Sequence, residues 1–138
     1  MSDEWCKNEI HIYFPQIKLI NFCRKNNIAQ TSYGSIGSPA RQKTEATKHY
    51  PDSPNMMEEP LIVELSKKYK NTPAQILLKY LVQRKIAVIP KSSNPERIAQ
   101  NIDLFNFNMI GHPEDGLAEY RHCFEKHQRK RSQSRQRK

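Results

Sequence analysis

Hydrophobic positions along the chain switch between two spacings. Glu9 to Phe14 alternates loosely, with Ile10, Ile12, Tyr13 and Phe14 as its apolar members, and predicts a short strand or the exit from one. Pro15 suits the first turn of a helix with the apolar face Ile17, Leu19, Ile20, Phe22 and Cys23, ended by Arg24-Lys25-Asn26-Asn27. Residues 28–33 read as a second strand, stopped by the turn residues Gly34-Ser35-Ile36-Gly37-Ser38-Pro39. Residues 40–57 are polar and aperiodic and predict one long loop. Helical spacing resumes from Glu58 to Tyr69 through Leu61, Ile62 and Leu65. Thr72-Pro73-Ala74-Gln75 has the form of a capping box with proline at the first helical position. It opens a helix through Ile76, Leu77, Tyr80, Leu81 and Val82. Ile86-Ala87-Val88-Ile89-Pro90 is almost wholly apolar, the pattern of a strand buried on both faces. Asn94 is the expected N-cap of a further helix, with Pro95 as its first residue.

Strand, helix, strand, loop, two helices, strand, helix is the order of an α/β fold with parallel strands and crossover helices. Beyond Met109 the pattern weakens. Residues 113–124 fit one short helix through Leu117, Tyr120, Cys123 and Phe124, and residues 126–138 are low in complexity and expected to be disordered.

Charge changes the picture at one end only. Seven Lys or Arg and no acid lie between Lys126 and Lys138, and without them the formal charge falls from +9 to +2. The basic character is a property of that tail, not of the body. Cys6, Cys23 and Cys123 have neither CxxC nor metal-ligand spacing, which predicts free thiols in a reducing, cytoplasmic setting. The acidic, polar start MSDEWCKNEI predicts no secretory signal, and no apolar run approaches the roughly 20 residues of a membrane span. His112, His122 and His127 lack accompanying ligands at useful spacing, so no metal site is expected. Met56-Met57 reads as loop packing, and Tyr69 and Tyr80 as helix-face packing.

The segment richest in chemistry runs from Ile89 to Arg97. A strand ends there and a helix begins within a few residues, so unpaired backbone N–H groups and a positive dipole end favour an anion. Lys91 and Arg97 add full charges, and Ser92 and Ser93 add hydroxyls. A phosphate would find charge, donors and dipole aimed at one place. The plain alternative is a surface turn with two unrelated cations.

Ile89-Pro90-Lys91-Ser92-Ser93-Asn94-Pro95-Glu96-Arg97-Ile98-Ala99-Gln100-Asn101 closely resembles the aldo-keto reductase signature in which I-P-K-S is followed by P-x-R-I-x-x-N. Pro73 to Leu78 with Gln83-Arg84 is similar to that family's penultimate helix. Tyr33-Gly34-Ser35-Ile36-Gly37-Ser38 is similar to its Y-S-P-L-G-S turn, His11-Ile12-Tyr13 to its H-P-Y, and Asn101 to Phe107 to its N-x-x-x-F-D-F. The similarity spans about residues 6–109.

The resemblance implies a partial (β/α)8 TIM barrel, residues 1–109 carrying strands six to eight, with 110–138 as a divergent helix and basic tail. It implies an oxidoreductase that reduces aldehydes or ketones with NADPH. Lys91 and Arg97 would grip the 2′-phosphate of NADP(H), with Ser92, Ser93 and Asn94 completing the cradle. Gln100 and Asn101 would lie near the adenine, Tyr33 would stack on the nicotinamide, and Ser35, Ile36 and Ser38 would line the turn over the pyrophosphate. Gly34 and Ser35 replace the family's serine and proline. Lys7 stands where the family has a glutamine that bonds the nicotinamide carboxamide, and an ammonium offers no acceptor.

The family's catalytic Asp, Tyr, Lys and His come from the first half of its barrel, and no segment of this chain matches them, so no catalytic residue is assigned. His11 falls in the later H-P-Y segment and reads as structural. Three strands cannot close a barrel, so a truncated or partner-dependent chain is expected. Two other readings stand beside this one. The tail could serve a nucleic-acid or partner-binding protein without enzymatic activity, although no aromatic residue follows Phe124 to stack on bases. The chain could also complete a barrel with a second subunit.

Overall fold

The computed structural model describes residues 4–37 and 55–110. Its elements are β1 (Trp5–Glu9), α1 (Ile17–Lys25), β2 (Ala29–Tyr33), a 3-10 turn (Met56–Glu58), α2 (Pro60–Tyr69), α3 (Pro73–Gln83), β3 (Ala87–Val88) and α4 (Pro95–Ile102). The strands form one parallel sheet in the order β1-β2-β3. The expected helix within 113–124, the basic tail, Cys123, Ser38 and most of the long loop lie outside the described residues.

The helices start and stop for local reasons. Thr72 Oγ1 accepts from Gln75 N (3.3 Å) while Gln75 Oε1 accepts from Thr72 N (2.9 Å), so the capping box of α3 is complete. Pro60, Pro73 and Pro95 each occupy the first turn of their helices. Asn27, Lys70 and Lys85 adopt positive φ just beyond α1, α2 and α3, the left-handed turn that ends a helix. Arg24 and Lys25 close α1, and Lys67 and Lys68 close α2, where cations favour the negative end of the helix dipole.

Residues 9–14 prove to be the exit from a strand, not a strand, and two further expectations need correction. The first strand itself is Trp5–Glu9, ahead of that stretch. Its ladder with β2 runs from Trp5↔Ala29 to Glu9↔Tyr33. Ile10, Ile12 and Tyr13 then turn into the core while His11 and Phe14 bond each other's backbone, so their apolar character reflects core filling and not pairing. Pro15 does not begin α1; Gln16, at φ 50°, is the cap and Ile17 the first helical residue. The third strand is two residues long and not buried on both faces. Ile86 is buried, but Ile89 is 49% exposed. β3 is an edge strand, and one face of the sheet is uncovered among the described residues.

Register makes that asymmetry explicit. Cys6, Asn8, Gln30, Ser32 and Val88 share the face beneath the helices. Trp5, Lys7, Glu9, Thr31, Tyr33 and Ala87 share the other, where Trp5 is 67% exposed. The core, including Ile10, Ile20, Ile62, Ile76, Leu77 and Leu81, fills the helical side.

The covered face is unusually polar. Ser32 satisfies itself by donating to Ile10 O at 2.7 Å. Gln30 does not: it is buried and its amide nitrogen has no partner among the described residues. An unmade hydrogen bond of this kind costs about 1–3 kcal/mol. Gln30→Leu is therefore expected to raise stability by about 1 kcal/mol or more, read as a higher urea midpoint with an unchanged slope. A lower midpoint would show that the amide is satisfied in solution.

Candidate functional site

Parallel pairing brings two turns to one edge of the sheet. Ser32 stands level with Val88, so the next residues, Tyr33 and Ile89, leave β2 and β3 on the same side. The turn 34–37 follows the first, and 91–94 follows the second, leading into α4. Carboxyl edges of parallel strands are where α/β folds place ligands, because loops of different origin converge there.

The first turn is built to be stiff. Gly34 and Gly37 sit at φ 63° and 76°. At Gly37 it is the positive φ that favours glycine; a Cβ there would also lie 2.6 Å from Met56 Cε, the end of a flexible side chain that would have to shift. Ser35 is buried, with its Oγ 2.7 Å from Ser32 Oγ and donating to Ser32 O at 3.2 Å. Its hydroxyl thus supports the turn from within. Ile36 packs against the core and is half-buried. Tyr33 is the outward-facing member and is 44% exposed.

In the second turn Lys91, Ser93, Asn94 and Arg97 are exposed, while Ser92, Gln100 and Asn101 are half-buried. Ser92 Oγ accepts from Asn94 N (3.1 Å), and Asn94 Oδ1 accepts from Arg97 N (3.0 Å) as the N-cap of α4. Pro95 has no N–H to offer, and Ile98 N bonds Asn94 O. The expectation of several unpaired backbone donors is thereby corrected. The cap consumes most of them, and Glu96 N–H is what the first turn of α4 has left. What the site retains is charge: neither Lys91 nor Arg97 forms an ion pair with another described residue.

Sequence reasoning missed how α4 is held. Gln75, Lys79 and Gln83 recur every fourth residue on α3, and each reaches the chain that leaves α4. Gln75 Nε2 donates to Asp103 O (2.9 Å) and Lys79 Nζ to Leu104 O (2.8 Å). Gln83 donates to Met109 O and accepts from Met109 N, both at 3.0 Å. Lys79 is also within 5.3 Å of the Phe107 ring centroid, and its burial lowers its pKa from the ordinary lysine value. Three polar residues at four-residue intervals in an otherwise buried helix were the available signal.

Tyr80 and Tyr69 prove to be more than packing residues. Tyr80 accepts from buried Arg84 at 2.8 Å, and Tyr69 accepts from Ile110 N at 3.0 Å. His11 Nε2 lies 3.3 Å from Glu9 Oε1. Cys6 and Cys23 are free thiols. Among the described residues no three potential metal ligands cluster, and no helix is long and apolar enough to cross a membrane.

Residues 5–111 match the model of the Aldo/keto reductase family. The chain is 46% identical over 101 residues to chicken (Gallus gallus) aldo-keto reductase family 1 member A1, covering 73% of this chain and 29% of that protein. It is 42% identical over 101 residues to a probable NAD(P)H-dependent D-xylose reductase of Aspergillus clavatus, covering 73% and 30%. The solved structure of the Schistosoma japonicum aldose reductase superposes with a TM-score of 0.65 at 32% identity, covering 82% of this chain and 32% of that one. An aldo-keto reductase from a deep-sea metagenome library gives 0.68 at 28% identity, covering 84% and 39%. The chain thus spans about three tenths of the length of the curated relatives it matches.

Proposed function

Because the chain belongs to the aldo/keto reductase family of oxidoreductases, we propose that residues 1–109 form strands six to eight of a (β/α)8 barrel and supply its NADP(H)-binding edge, with residues 110–138 as a separate divergent end. The observation that carries this reading is the pair of exposed cations, Lys91 and Arg97, flanking the start of α4 with no anionic partner among the described residues. Two cations on an N-capped helix start suit the dianionic 2′-phosphate that separates NADPH from NADH.

The donor set fits the cofactor. Lys91 and Arg97 hold the 2′-phosphate, while Ser92, Ser93 and Asn94 shape the loop around it. Gln100 and Asn101, half-buried on α4, lie toward the adenine. Tyr33 offers a half-exposed ring for the nicotinamide, and the turn of Ser35 and Ile36 covers the pyrophosphate, with Ser38, outside the described residues, assigned to the same role. When bound, the reduced nicotinamide supplies the hydride that converts an aldehyde or ketone to an alcohol. These residues bind and orient; we assign none of them to proton transfer. In this reading the uncovered sheet face is the inward face of a barrel that other strands complete, and the protein works in the cytoplasm.

Fluorescence titration of the full chain with NADPH and NADH tests the proposal. NADPH is expected to bind more tightly, and Lys91→Ala and Arg97→Ala are each expected to weaken it roughly tenfold while sparing NADH. That magnitude suits exposed, solvent-screened contacts to phosphate. Equal affinity for the two cofactors, or variants that weaken both alike, would remove the phosphate cradle from the reading.

A further inference from the structure

We propose that Lys7 is a specificity residue that makes the Tyr33 site favour the reduced, uncharged nicotinamide ring over the oxidised, positively charged one. The inference rests on the proposed stacking of nicotinamide on Tyr33 and deepens it.

Lys7 and Tyr33 occupy the same face of the sheet, on the paired strands β1 and β2. Lys7 pairs with Thr31, and Tyr33 is the next residue of β2 to share that face. Lys7 Nζ lies 6.0 Å from the centroid of the Tyr33 ring. The residue is exposed and forms no ion pair with another described residue. Glu9 shares this face and pairs directly with Tyr33, with its carboxylate 3.3 Å from His11 Nε2 and bordering Gly34. It makes no ion pair with Lys7, so the ammonium still acts on a ring stacked at Tyr33, its field offset in part by that carboxylate.

A ring stacked on Tyr33 at ordinary contact distance sits within about 10 Å of that ammonium, close enough for charge to matter at physiological salt. The oxidised nicotinamide carries a formal positive charge and the reduced one does not; everything else in the two cofactors, including the 2′-phosphate, is shared. The repulsion thus falls on one redox form only. Coulomb's law at the high effective dielectric of an exposed site gives about a two- to tenfold effect on the ratio of the two affinities. A ligand form that meets less repulsion is bound more tightly by that same factor, which biases the site toward cofactor ready to donate.

The experiment measures Kd for NADPH by fluorescence and for NADP+ by its displacement of NADPH, in the wild-type chain and in Lys7→Gln, Lys7→Met and Lys7→Arg. The ratio Kd(NADP+)/Kd(NADPH) is expected to fall about two- to tenfold in the neutral variants, to persist in Lys7→Arg, and to shrink with rising KCl in the wild type. Neutral variants that bind both forms with an unchanged ratio overturn the role of Lys7 and leave the cofactor site standing. A salt-independent wild-type ratio does the same, and serves where a variant does not fold. Failure of the wild type to bind either form overturns the cofactor site itself and this inference with it.

Discussion

Leu81→Ala is expected to destabilise the chain by about 2–5 kcal/mol, enough to remove much of the stability of a small domain. Leu81 is fully buried on α3 and belongs to the same core cluster as Ile76, Leu77, Tyr80 and Ile86. Truncation removes apolar surface and leaves a cavity that rigid neighbours fill poorly. Collapse is especially restricted here because both ends of the segment around Leu81 are tied. Its carbonyl accepts from Arg84 N and Ile86 N, which fixes the turn from α3 into β3. Urea denaturation followed by circular dichroism reads the loss. A change under 1 kcal/mol would mean that α3 does not pack in solution as described. A loss of the stated size should also weaken NADPH binding, since Gln75, Lys79 and Gln83 on this helix hold the chain that leaves α4.

Arg84→Ala should cost about 2–4 kcal/mol, while Arg84→Met costs much less, because the two changes leave different things behind. Arg84 is 3% exposed, yet among the described residues no carboxylate pairs with it. Its guanidinium donates to Tyr80 OH (2.8 Å) and to Pro15 O (3.3 Å) and lies over the Tyr80 ring, 5.0 Å from the centroid. Its Nε is buried with no partner among the described residues, and its backbone carbonyl accepts from Arg24 at 2.7 Å. Burial lowers the Arg84 pKa from its ordinary value; the nearby Tyr80 counteracts this and the Arg24 charge adds to it. Burial likewise raises the Tyr80 pKa, with Arg84 opposing. Alanine removes the donor to Tyr80 and Pro15 and opens a void. Methionine fills most of the volume and removes a costly buried charge, so its penalty is limited to the lost hydrogen bonds. Adding Tyr80→Phe to Arg84→Met should recover part of that remainder. A double-mutant cycle in urea would expose the opposite result, in which methionine is as harmful as alanine and the charge itself is required.

These two residues and the cofactor edge belong to one mechanical chain. Arg84 ties the end of α3 to the start of α1 through Pro15, and Leu81 anchors the same end of α3 in the core. β3 then pairs with β2 and leads into the loop that carries Lys91. Stability changes at the base of β3 should therefore be felt at the loop above it, even though neither residue approaches that loop.

What the sequence determined by itself was the set of locally encoded features. The Thr72–Gln75 box, the Asn94 cap, Pro73 and Pro95 as first helical residues and the turn glycines are legible because their hydrogen bonds and backbone angles involve residues within a few positions of one another. The Lys91 to Asn101 motif was legible for the same reason, since a strand end, a loop and a helix start are contiguous. What only the tertiary structure decided were facts that depend on distant partners. Whether Glu9 to Phe14 was a strand or the exit from one was open in the sequence; it is the exit, with Ile10, Ile12 and Tyr13 buried, because β2 pairs with Trp5–Glu9. Ile86 to Pro90 looked doubly buried but has one open face, since apolarity records what a segment could cover and not what covers it. The α4 donors looked free until Ser92 and Asn94 used them, and only the tertiary fold brings the backbone of Leu104 to Lys79. Lys7 and Tyr33 are far apart in the chain, and only the family resemblance set both at the nicotinamide; parallel register sets them side by side, and Coulomb interaction acts on distance in space, not in sequence.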